Sequence, residues 1–296
     1  MQIYDMHVHC RNRPVDPHGL IHAMEDAGVY GGCVFSNWPK ESTEYEGEGT
    51  SFEARMAEVK GWTEPYPDRL FPVLWIHPYE DDIFDKIDRA VEQGICAFKI
   101  ICTNFYIHED RCLQVLQRIA DHKKPVFFHS GILWTGAPSS KYNRPVFWEA
   151  LLDVKGLRFS MGHCSWPWTD ECIALYGQFC YAARLRETSE MFLDLTPGAP
   201  SVYRKDLLTK LFKVEFGFPT DNNILFGTDC SAHHYNPDYA KKNLTLNNGI
   251  LDELGIGEEV RRKIYRDNLM RFLGKDERKL YEISYTPCKR EKNMVY

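Results

Sequence analysis

Residues 2–10 read Gln-Ile-Tyr-Asp-Met-His-Val-His-Cys, and this stretch decides the fold that we expect for the rest of the chain. Asp5, His7 and His9 recur at every second position. In a β-strand such positions point to one face, so the two imidazoles would project together. Two histidines presented by one rigid strand can chelate a metal ion such as zinc. An isolated His-x-His pair is more often an ordinary polar pair, so the metal interpretation depends on residues elsewhere in the chain.

The composition indicates a folded globular protein and excludes several classes of partner. The 296 residues are 44% hydrophobic and 26% charged, and the formal net charge is −6. This balance argues against binding to nucleic acid or to an anionic membrane surface. No uncharged apolar run is long enough to span a bilayer, and the first strand begins too close to Met1 for a signal peptide. The ten cysteines are scattered without a Cys-x-x-Cys pair, which indicates buried thiols in a reducing compartment. We therefore expect a cytoplasmic protein.

The remaining sequence alternates short apolar runs with helical patterns. After the first strand, we expect strands at 32–35, 70–76, 94–100, 125–129, 157–163, 191–195 and 223–229. We expect helices at 17–28, 52–61, 82–93, 109–122, 145–154, 169–186, 205–216 and 258–273. Asp16 is the expected cap of the first helix, with Pro17 in its first turn.

Eight continuous apolar strands separated by helices predict a parallel sheet that is buried on both faces. Eight is the number of strands that closes a (β/α)8 TIM barrel, and the chain has the right length. A doubly wound open sheet is the alternative, but it does not require polar residues at so many strand ends. We expect one domain over residues 1–296, with the barrel at about 1–273 and a charged tail at about 274–296.

Polar side chains lie at the carboxyl ends of four predicted strands. They are His7 and His9 on the first strand, His129 on the fifth, His163 on the sixth and Asp229 on the eighth. In a barrel all strand ends surround one site, so these scattered residues become one cluster. Three histidines and one carboxylate suit a single divalent ion that keeps a position open for water. Such an ion lowers the pKa of its water, and a fourth histidine could move protons.

Several motifs in this order and spacing resemble the amidohydrolase superfamily, and within it the amidohydrolase-2 branch, which is similar to aminocarboxymuconate-semialdehyde decarboxylase and its relatives. The motifs are Asp-Met-His-Val-His at 5–9, Ala-Phe-Lys-Ile at 97–100 with Asn-Phe-Tyr at 104–106, Pro-Val-Phe-Phe-His-Ser-Gly at 125–131, Met-Gly-His at 161–163, Ile-Leu-Phe-Gly-Thr-Asp at 224–229, and the closing segment 265–273. The resemblance implies a metal-dependent TIM barrel. It leaves the reaction open, because the branch contains hydrolases, lactonases and non-oxidative decarboxylases.

The resemblance also implies roles for individual residues. One divalent ion, most simply Zn2+ with Mn2+, Fe2+ and Co2+ as alternatives, would be held by His7, His9, His129 and Asp229. His163 would activate water or substrate, and Asp229 would also accept a proton. Lys99 lies where binuclear relatives carry a carbamylated lysine, but we favour a free ammonium that faces the substrate. Asp5 is expected to support the strand or to orient a ligand.

The loops expected above the site combine aromatic and cationic side chains. Those assigned to the substrate, besides Lys99, are Arg11, Arg13, Trp134 and Trp166. Such walls suit a small, partly planar carboxylic acid or lactone. The alternatives are that the aromatic side chains only pack the loops and that the two arginines only solubilise the first loop.

Two classes of function follow from this pattern. The first is an enzyme that hydrolyses an ester, lactone or amide through metal-activated water, with non-oxidative decarboxylation at the same site as the alternative. The second is a non-catalytic metal-binding barrel, which would not need His163 as a proton shuttle. The sequence leaves the oligomeric state open, with a homodimer as one option.

Overall fold

A computed structural model describes residues 1–11, 14–42, 49–136, 138–214 and 217–275. Nine strands form one sheet in the order β8-β7-β6-β5-β4-β3-β2-β1-β9, and all neighbouring strands are parallel. The strands are β1 Tyr4–His9, β2 Gly31–Phe35, β3 Leu70–Trp75, β4 Ala97–Ile100, β5 Val126–Phe128, β6 Arg158–Met161, β7 Glu190–Asp194, β8 Ile224–Leu225 and β9 Cys230–Ser231.

The eighth predicted strand is divided into two short pieces. Each piece pairs with a different end of the sheet, and together they close the barrel. β8 pairs with β7, whereas β9 pairs with β1. Between them, Met6 N donates to Phe226 O at 3.0 Å and Asp229 N donates to His7 O at 3.0 Å. The predicted (β/α)8 barrel is therefore confirmed. The prediction of one continuous strand over 223–229 is wrong, because Asp229 adopts a positive φ of 63° that no regular strand permits.

A β-bulge in β1 places the first two histidines. Asp5 pairs with Gly32 and Val8 pairs with Val34, so Met6 and His7 together oppose one residue of β2. Met6 packs in the cluster inside the barrel. The simple alternation that put Asp5 on the face of His7 and His9 is interrupted at this bulge.

Asp5 secures the junction between β1 and the eighth segment. Its carboxylate accepts hydrogen bonds from the backbone N of His7 (3.0 Å), from the backbone N and Oγ1 of Thr228 (2.9 and 2.5 Å), and from Tyr235 Oη (2.9 Å). All these contacts are buried. The predicted supporting role of Asp5 is confirmed by this network.

Helices follow the strands along the chain. They are α1 Pro17–Asp26, α2 Phe52–Thr63, α3 Ile83–Glu92, α4 Asp110–Asp121, α5 Ser139–Tyr142, α6 Thr169–Ala182, α7 Arg204–Lys213, α8 Pro237–Glu253, α9 Glu258–Arg262 and α10 Asn268–Phe272. Short 3-10 helices lie at Pro145–Asp153, Gly162–Ser165 and Ser201–Tyr203, and a π-helical turn at Lys263–Asp267 joins α9 to α10. Asp16 caps α1 as predicted, accepting from Gly19 N at 2.9 Å.

The structure differs from the predicted helices in several places, including the short α5, which was not predicted. Residues 145–153 form a 3-10 helix, the helix at 258–272 contains the π-helical turn, and the 17-residue α8 was not predicted. None of the described helices has the length and apolar character needed to cross a membrane. Most of the tail predicted at 274–296 lies outside the described residues, so the extent of the domain stays a prediction.

The interior of the barrel is filled beneath the strand ends. The inner cluster includes Met6, Phe35, Phe127, Phe192 and Phe272. The ring of Phe272 lies 4.8 Å from that of Phe127 and 4.9 Å from that of Phe192, between ring centroids, so α10 contributes to the packing inside the barrel. A larger apolar cluster joins the strands to the surrounding helices. This packing fixes the strand ends that carry the candidate site.

Candidate active site

Three side chains converge at the carboxyl ends of β1 and of the eighth segment. His7 Nε2 lies 3.0 Å from His9 Nε2, and an Asp229 carboxylate oxygen lies 3.2 Å from His9 Nε2 and 3.7 Å from His7 Nε2. One donor atom from each residue falls within 4.8 Å of the others. Asp229 is 38% exposed, whereas His7 is almost fully buried, so the carboxylate forms the open side of the cluster.

The other two predicted histidines stand beside this cluster. The ring centroid of His163 lies 5.8 Å from that of His7 and 5.1 Å from that of His129. His129 Nε2 is buried and has no hydrogen-bond partner among the described residues. The structure therefore brings His7, His9, His129, His163 and Asp229 together. Their roles as ligands and catalytic groups remain a proposal.

The sequence analysis missed Asp194, which ends β7. Asp194 is buried, its Oδ2 lies 3.5 Å from His7 Nδ1, and its Oδ1 accepts from Thr196 N at 2.5 Å. At 3.5 Å the contact is longer than an ordinary hydrogen bond, so Asp194 acts on His7 mainly through its charge. A carboxylate on the far ring nitrogen orients a histidine and favours a lone pair on Nε2. The sequence did contain a signal for this residue, because Asp194 is an aspartate at the end of an apolar strand.

His163 is presented by a turn and not by the strand itself. β6 ends at Met161, and His163, Cys164 and Ser165 have positive φ angles of 57°, 44° and 57°. Ser130 Oγ donates to Gly162 O at 2.9 Å and lies 2.8 Å from Ser165 Oγ, which holds this turn against β5. The turn lifts the imidazole above the strand end.

The His163 ring is held by the segment after β7. Its Nδ1 lies 3.2 Å from Thr196 O, and because a carbonyl only accepts, Nδ1 is the atom that donates in this contact. Nε2 is then the atom that can accept a proton. A Cβ placed on Gly198 would come within 2.4 Å of His163 Cγ, so a glycine is required at this close approach.

Burial controls the charge of the site. It lowers the pKa of His7 and His129, and it lowers the pKa of His9 to about 3, so these imidazoles are neutral and carry lone pairs. Burial raises the pKa of Asp229, but the neighbouring His9 and His7 outweigh it and the net direction is downward. Asp229 is therefore ionised. Burial also lowers the pKa of Lys99 to about 8.

This donor set fits a divalent cation. Two neutral imidazole nitrogens 3.0 Å apart and an adjacent carboxylate direct electron pairs into the same space. His129 is not part of this close group of three, but it lines the same cavity, and its buried Nε2 has no hydrogen-bond partner among the described residues. Nitrogen and oxygen donors of this kind suit zinc and the neighbouring divalent metals. The chemistry of the residues present therefore agrees with a metal centre.

A cavity of about 630 Å³ opens above the cluster, and we call it the main cavity. It is lined by all five clustered side chains together with Arg11, Lys99, Trp38, Trp75, Leu133, Trp134, Pro197–Pro200 and Tyr239. Of the predicted substrate residues, Arg11, Lys99 and Trp134 thus line it. Trp166 lines an adjacent cavity instead, and Arg13 lies outside the described residues. Cys10, Cys164 and Cys230, which neighbour the site in sequence, are buried.

Comparison with known proteins places the chain in a family. The family model described as Amidohydrolase matches residues 4–275. The chain belongs to the amidohydrolase family, in its amidohydrolase-2 group. The predicted family is confirmed. The metal dependence expected from the resemblance also agrees with this family.

Individual relatives are distant. A D-hydantoinase from Rhizobium radiobacter is 25% identical over 122 residues, which cover 41% of this amidohydrolase and only 22% of the relative. A probable 2-pyrone-4,6-dicarboxylic acid hydrolase from Acinetobacter baumannii, solved with citric acid bound, is 12% identical with a TM-score of 0.58, covering 93% of this chain and 100% of the other. A dihydroxybenzoic acid decarboxylase from a Polaromonas species, solved with manganese and 2-nitroresorcinol, is 11% identical with a TM-score of 0.61, covering 92% and 97%. These likenesses show the fold.

Proposed function

We propose that this amidohydrolase is a metal-dependent hydrolase that cleaves an ester, lactone or amide bond of a small organic molecule. The convergence of His7 Nε2, His9 Nε2 and an Asp229 oxygen beside His163 carries the proposal. His129, whose buried Nε2 has no hydrogen-bond partner in the described part of the chain, completes the proposed ligand set. A divalent ion bound by these four residues would supply Lewis acidity and a water of lowered pKa. We propose Zn2+ as that ion, since the donors are mainly imidazoles.

Asp229 is suited to accept a proton from the attacking water. Its carboxylate is ionised, partly exposed and 3.2 Å from His9 Nε2, so it can reach solvent from the edge of the donor cluster. A carboxylate in such a position can accept the proton as the new C–O bond forms and return it to the leaving group. The positive φ of Asp229 turns this residue toward the site at the point where the strand is interrupted.

His163 is placed to act on the substrate carbonyl that the water attacks. Thr196 O accepts a hydrogen bond from Nδ1 and so holds the ring in place, and the ring lies between the donor cluster and the adjacent cavity. Nε2 can orient the water or exchange a proton with the substrate, and a protonated ring would stabilise the developing oxyanion. Either role requires the ring to hold its position, which Gly198 and Thr196 enforce.

The walls of the main cavity favour a small acid or lactone with a planar part. Trp38 and Trp75 pack together with Ile101 and Leu133 on one side. Arg11 and Lys99 add cationic groups to the same cavity. Arginine can hold a carboxylate by two parallel hydrogen bonds, and the Lys99 ammonium can meet a polar group near the donor cluster.

Non-oxidative decarboxylation is the second candidate. The buried Lys99 and the aromatic walls also suit an aromatic carboxylate, and one solved structure of similar fold is a dihydroxybenzoic acid decarboxylase. In this reaction the carboxyl carbon leaves as carbon dioxide and the ring carbon takes a proton. His163 and Asp229 are the groups placed to deliver it.

One experiment separates these candidates. The purified protein is incubated with lactones, esters, amides and hydroxylated aromatic carboxylates, while carbon dioxide release and acid formation are recorded together. Acid formation without carbon dioxide supports hydrolysis, and stoichiometric carbon dioxide supports the second candidate. Elemental analysis is expected to find about one divalent ion per chain. Absence of metal together with chelator-resistant turnover would overturn the proposed mechanism.

A cytoplasmic location and a homodimeric assembly belong to the same proposal. The nine described cysteines are free thiols and eight of them are buried, which supports a reducing compartment. Cell fractionation tests the location, and sedimentation equilibrium tests the assembly.

A further inference from the structure

Three consecutive backbone carbonyls at the end of β7 accept hydrogen bonds from side chains. The strand itself ends at Asp194, and the residues on either side of this point are buried. The three bonds run from Cys164 Sγ to Asp194 O (3.2 Å), from Arg204 Nη1 to Leu195 O (2.8 Å) and from His163 Nδ1 to Thr196 O (3.2 Å). Buried carbonyls are nearly always paired, so these side chains act as partners where the sheet ends. The last of the three bonds holds the His163 ring.

The peptide group between Leu195 and Thr196 is held from both sides by opposite charges. Its carbonyl oxygen accepts from the guanidinium of Arg204 at 2.8 Å. Its N–H donates to Asp194 Oδ1 at 2.5 Å. Because a peptide group is planar, contacts on its oxygen and its nitrogen together fix its orientation. The next carbonyl along the chain is Thr196 O, so the orientation of this peptide group also sets the place of the atom that holds His163.

Arg204 also closes the loop that carries the Thr196 carbonyl. The loop runs from Leu195 to Arg204, the first residue of α7, and the hydrogen bond between these two residues forms its base. Pro197 and Pro200 limit the freedom of the loop, because each proline fixes its own φ. The same loop lines the main cavity. A movement at its base would therefore reach the Thr196 carbonyl and the cavity wall.

The position of Arg204 in α7 indicates a role outside the helix. A cation at the first residue of a helix opposes the partial positive charge of the helix N-terminus. Burial lowers the pKa of the Arg204 guanidinium, whereas the nearby carboxylate of Asp194 acts against this shift. The guanidinium thus lies where neither the helix nor its burial favours a charge, and its favourable contacts are with the end of β7.

We propose that Arg204 is a positioning residue for His163. Together with Asp194, its guanidinium fixes the Leu195–Thr196 peptide group and so sets the place of the carbonyl that holds the imidazole. The inference rests on the proposed function for the step that His163 performs. The hold on the ring can be measured without turnover, so the two can fail separately.

The first test compares two substitutions of Arg204 in steady-state kinetics. Arg204→Met removes the charge and the donors but keeps most of the apolar stem. We expect kcat to fall about tenfold or more, with KM within about twofold of the wild type and metal content retained, because the imidazole is displaced. Arg204→Lys keeps a cation and a donor, and its kcat should stay within about threefold of the wild type.

The matched control is Lys205→Met, at the neighbouring position of α7. Lys205 Nζ lies 2.5 Å from a carboxylate oxygen of Glu253, and both side chains are exposed. Loss of such a surface pair should leave kcat, KM and metal content unchanged.

The second test follows the His163 ring by nitrogen-15 NMR of the histidine side chains. The Nδ1–H signal of His163 is identified by its absence from His163→Asn. Its exchange with water should be about tenfold faster or more in Arg204→Met than in the wild type, because a weakened hydrogen bond protects its proton less. Arg204→Lys should resemble the wild type. If Arg204→Met fails to fold, Arg204→Gln takes its place, since its shorter side chain ends before the Nη1 position.

The proposal is overturned if the folded Met or Gln variant shows wild-type exchange of the His163 proton or an unchanged kcat. An equal loss of kcat in Lys205→Met would also overturn it, because the effect would then be a general one of charge. So would an equal loss in Arg204→Lys and Arg204→Met. Expected exchange rates in a protein that turns over none of the tested substrates would support the positioning of His163 while contradicting the proposed function.

Discussion

The Oδ2 atom of Asp194 and the Nδ1 atom of His7 lie 3.5 Å apart, although β7 and β1 are not neighbours in the sheet. Both side chains are buried, and the two act as a unit behind the proposed metal centre. Burial raises the pKa of Asp194, but the opposing effect of His7 and His163 is larger. The net shift of this pKa is downward, so the carboxylate is charged. Asp194 is thus a positioning residue for His7.

Asp194→Asn removes this charge and keeps the shape of the side chain. Partners behind a metal-binding histidine are worth about 10- to 100-fold in metal affinity, so we expect a loss of that size. Competition with a chromogenic chelator measures it. Asp121→Asn, at an exposed helical position, is the control and should bind metal like the wild type. Equal metal affinity in Asp194→Asn and Asp121→Asn would show that Asp194 does not support metal binding.

His163→Asn separates proton transfer from metal binding. We expect metal content near that of the wild type and a kcat lower by about 100-fold or more, because a general acid or base has been lost. His7→Ala and His129→Ala should lose metal and activity together. Elemental analysis and steady-state kinetics decide the matter, and equal metal loss in all three variants would make His163 a ligand.

Gly198→Ala tests whether the position of the His163 ring matters. The added Cβ would lie 2.4 Å from His163 Cγ, so the imidazole must move. A displacement of about 1 Å can cost about 100-fold in rate, and we expect a fall in kcat of that order with metal content retained. Gly249→Ala is the matched control, since apart from the backbone of α8 itself no atom of the described residues lies within 4 Å of its new Cβ. Normal kinetics for Gly198→Ala would show that the ring can shift without penalty.

Arg11→Lys tests whether the first loop recognises an acid. Arg11 lines the main cavity, and a guanidinium can hold a carboxylate in a two-point contact that lysine cannot reproduce. KM should rise for an anionic substrate and stay constant for its neutral analogue. Arg186→Lys, in an exposed pair with Asp153, should change neither value. If the ratio of KM for the anionic substrate to KM for the neutral analogue is the same in Arg11→Lys and Arg186→Lys, Arg11 does not bind a substrate carboxylate.

Glu80→Gln tests a buried ion pair on the outer side of the barrel. Arg55 and Glu80 are almost fully buried and lie 2.6 Å apart, and Glu80 also accepts from His77 N at 2.9 Å. Loss of one charge leaves the other buried, which should lower the free energy of unfolding by about 3–5 kcal/mol. Chemical denaturation measures this value. Glu53→Gln, in an exposed pair with Arg89, should leave stability unchanged, and similar values for both variants would contradict the role of burial.

The barrel could be predicted because its strands are buried on both faces and read as short apolar runs. The histidines were found because two of them share β1 and the others follow apolar strands. Asp194 was not found, because its role arises from a contact with a residue near the other end of the chain. The turn at His163 depends on backbone angles that side-chain patterns do not encode.

The missed helix α8 has a different explanation. Its buried positions include Asn247 among Ala240, Leu244 and Ile250, so its apolar face is narrow and interrupted. Its remaining positions are largely polar, and the segment therefore resembles a loop when only hydrophobic periodicity is considered. Packing against the barrel, which the sequence does not display locally, stabilises it as a helix.

The interrupted eighth strand links the order of synthesis to the chemistry of the site. His7 and His9 leave the ribosome first, and Asp229 follows only after most of the barrel has been made. The hydrogen bonds of Met6 with Phe226 and of Asp229 with His7 form when the two ends of the sheet meet. The same event delivers the carboxylate to the imidazoles. A nascent or truncated chain that ends before this segment would hold His7, His9 and Asp194 without Asp229, and its sheet would lack the hydrogen bonds that join its two ends.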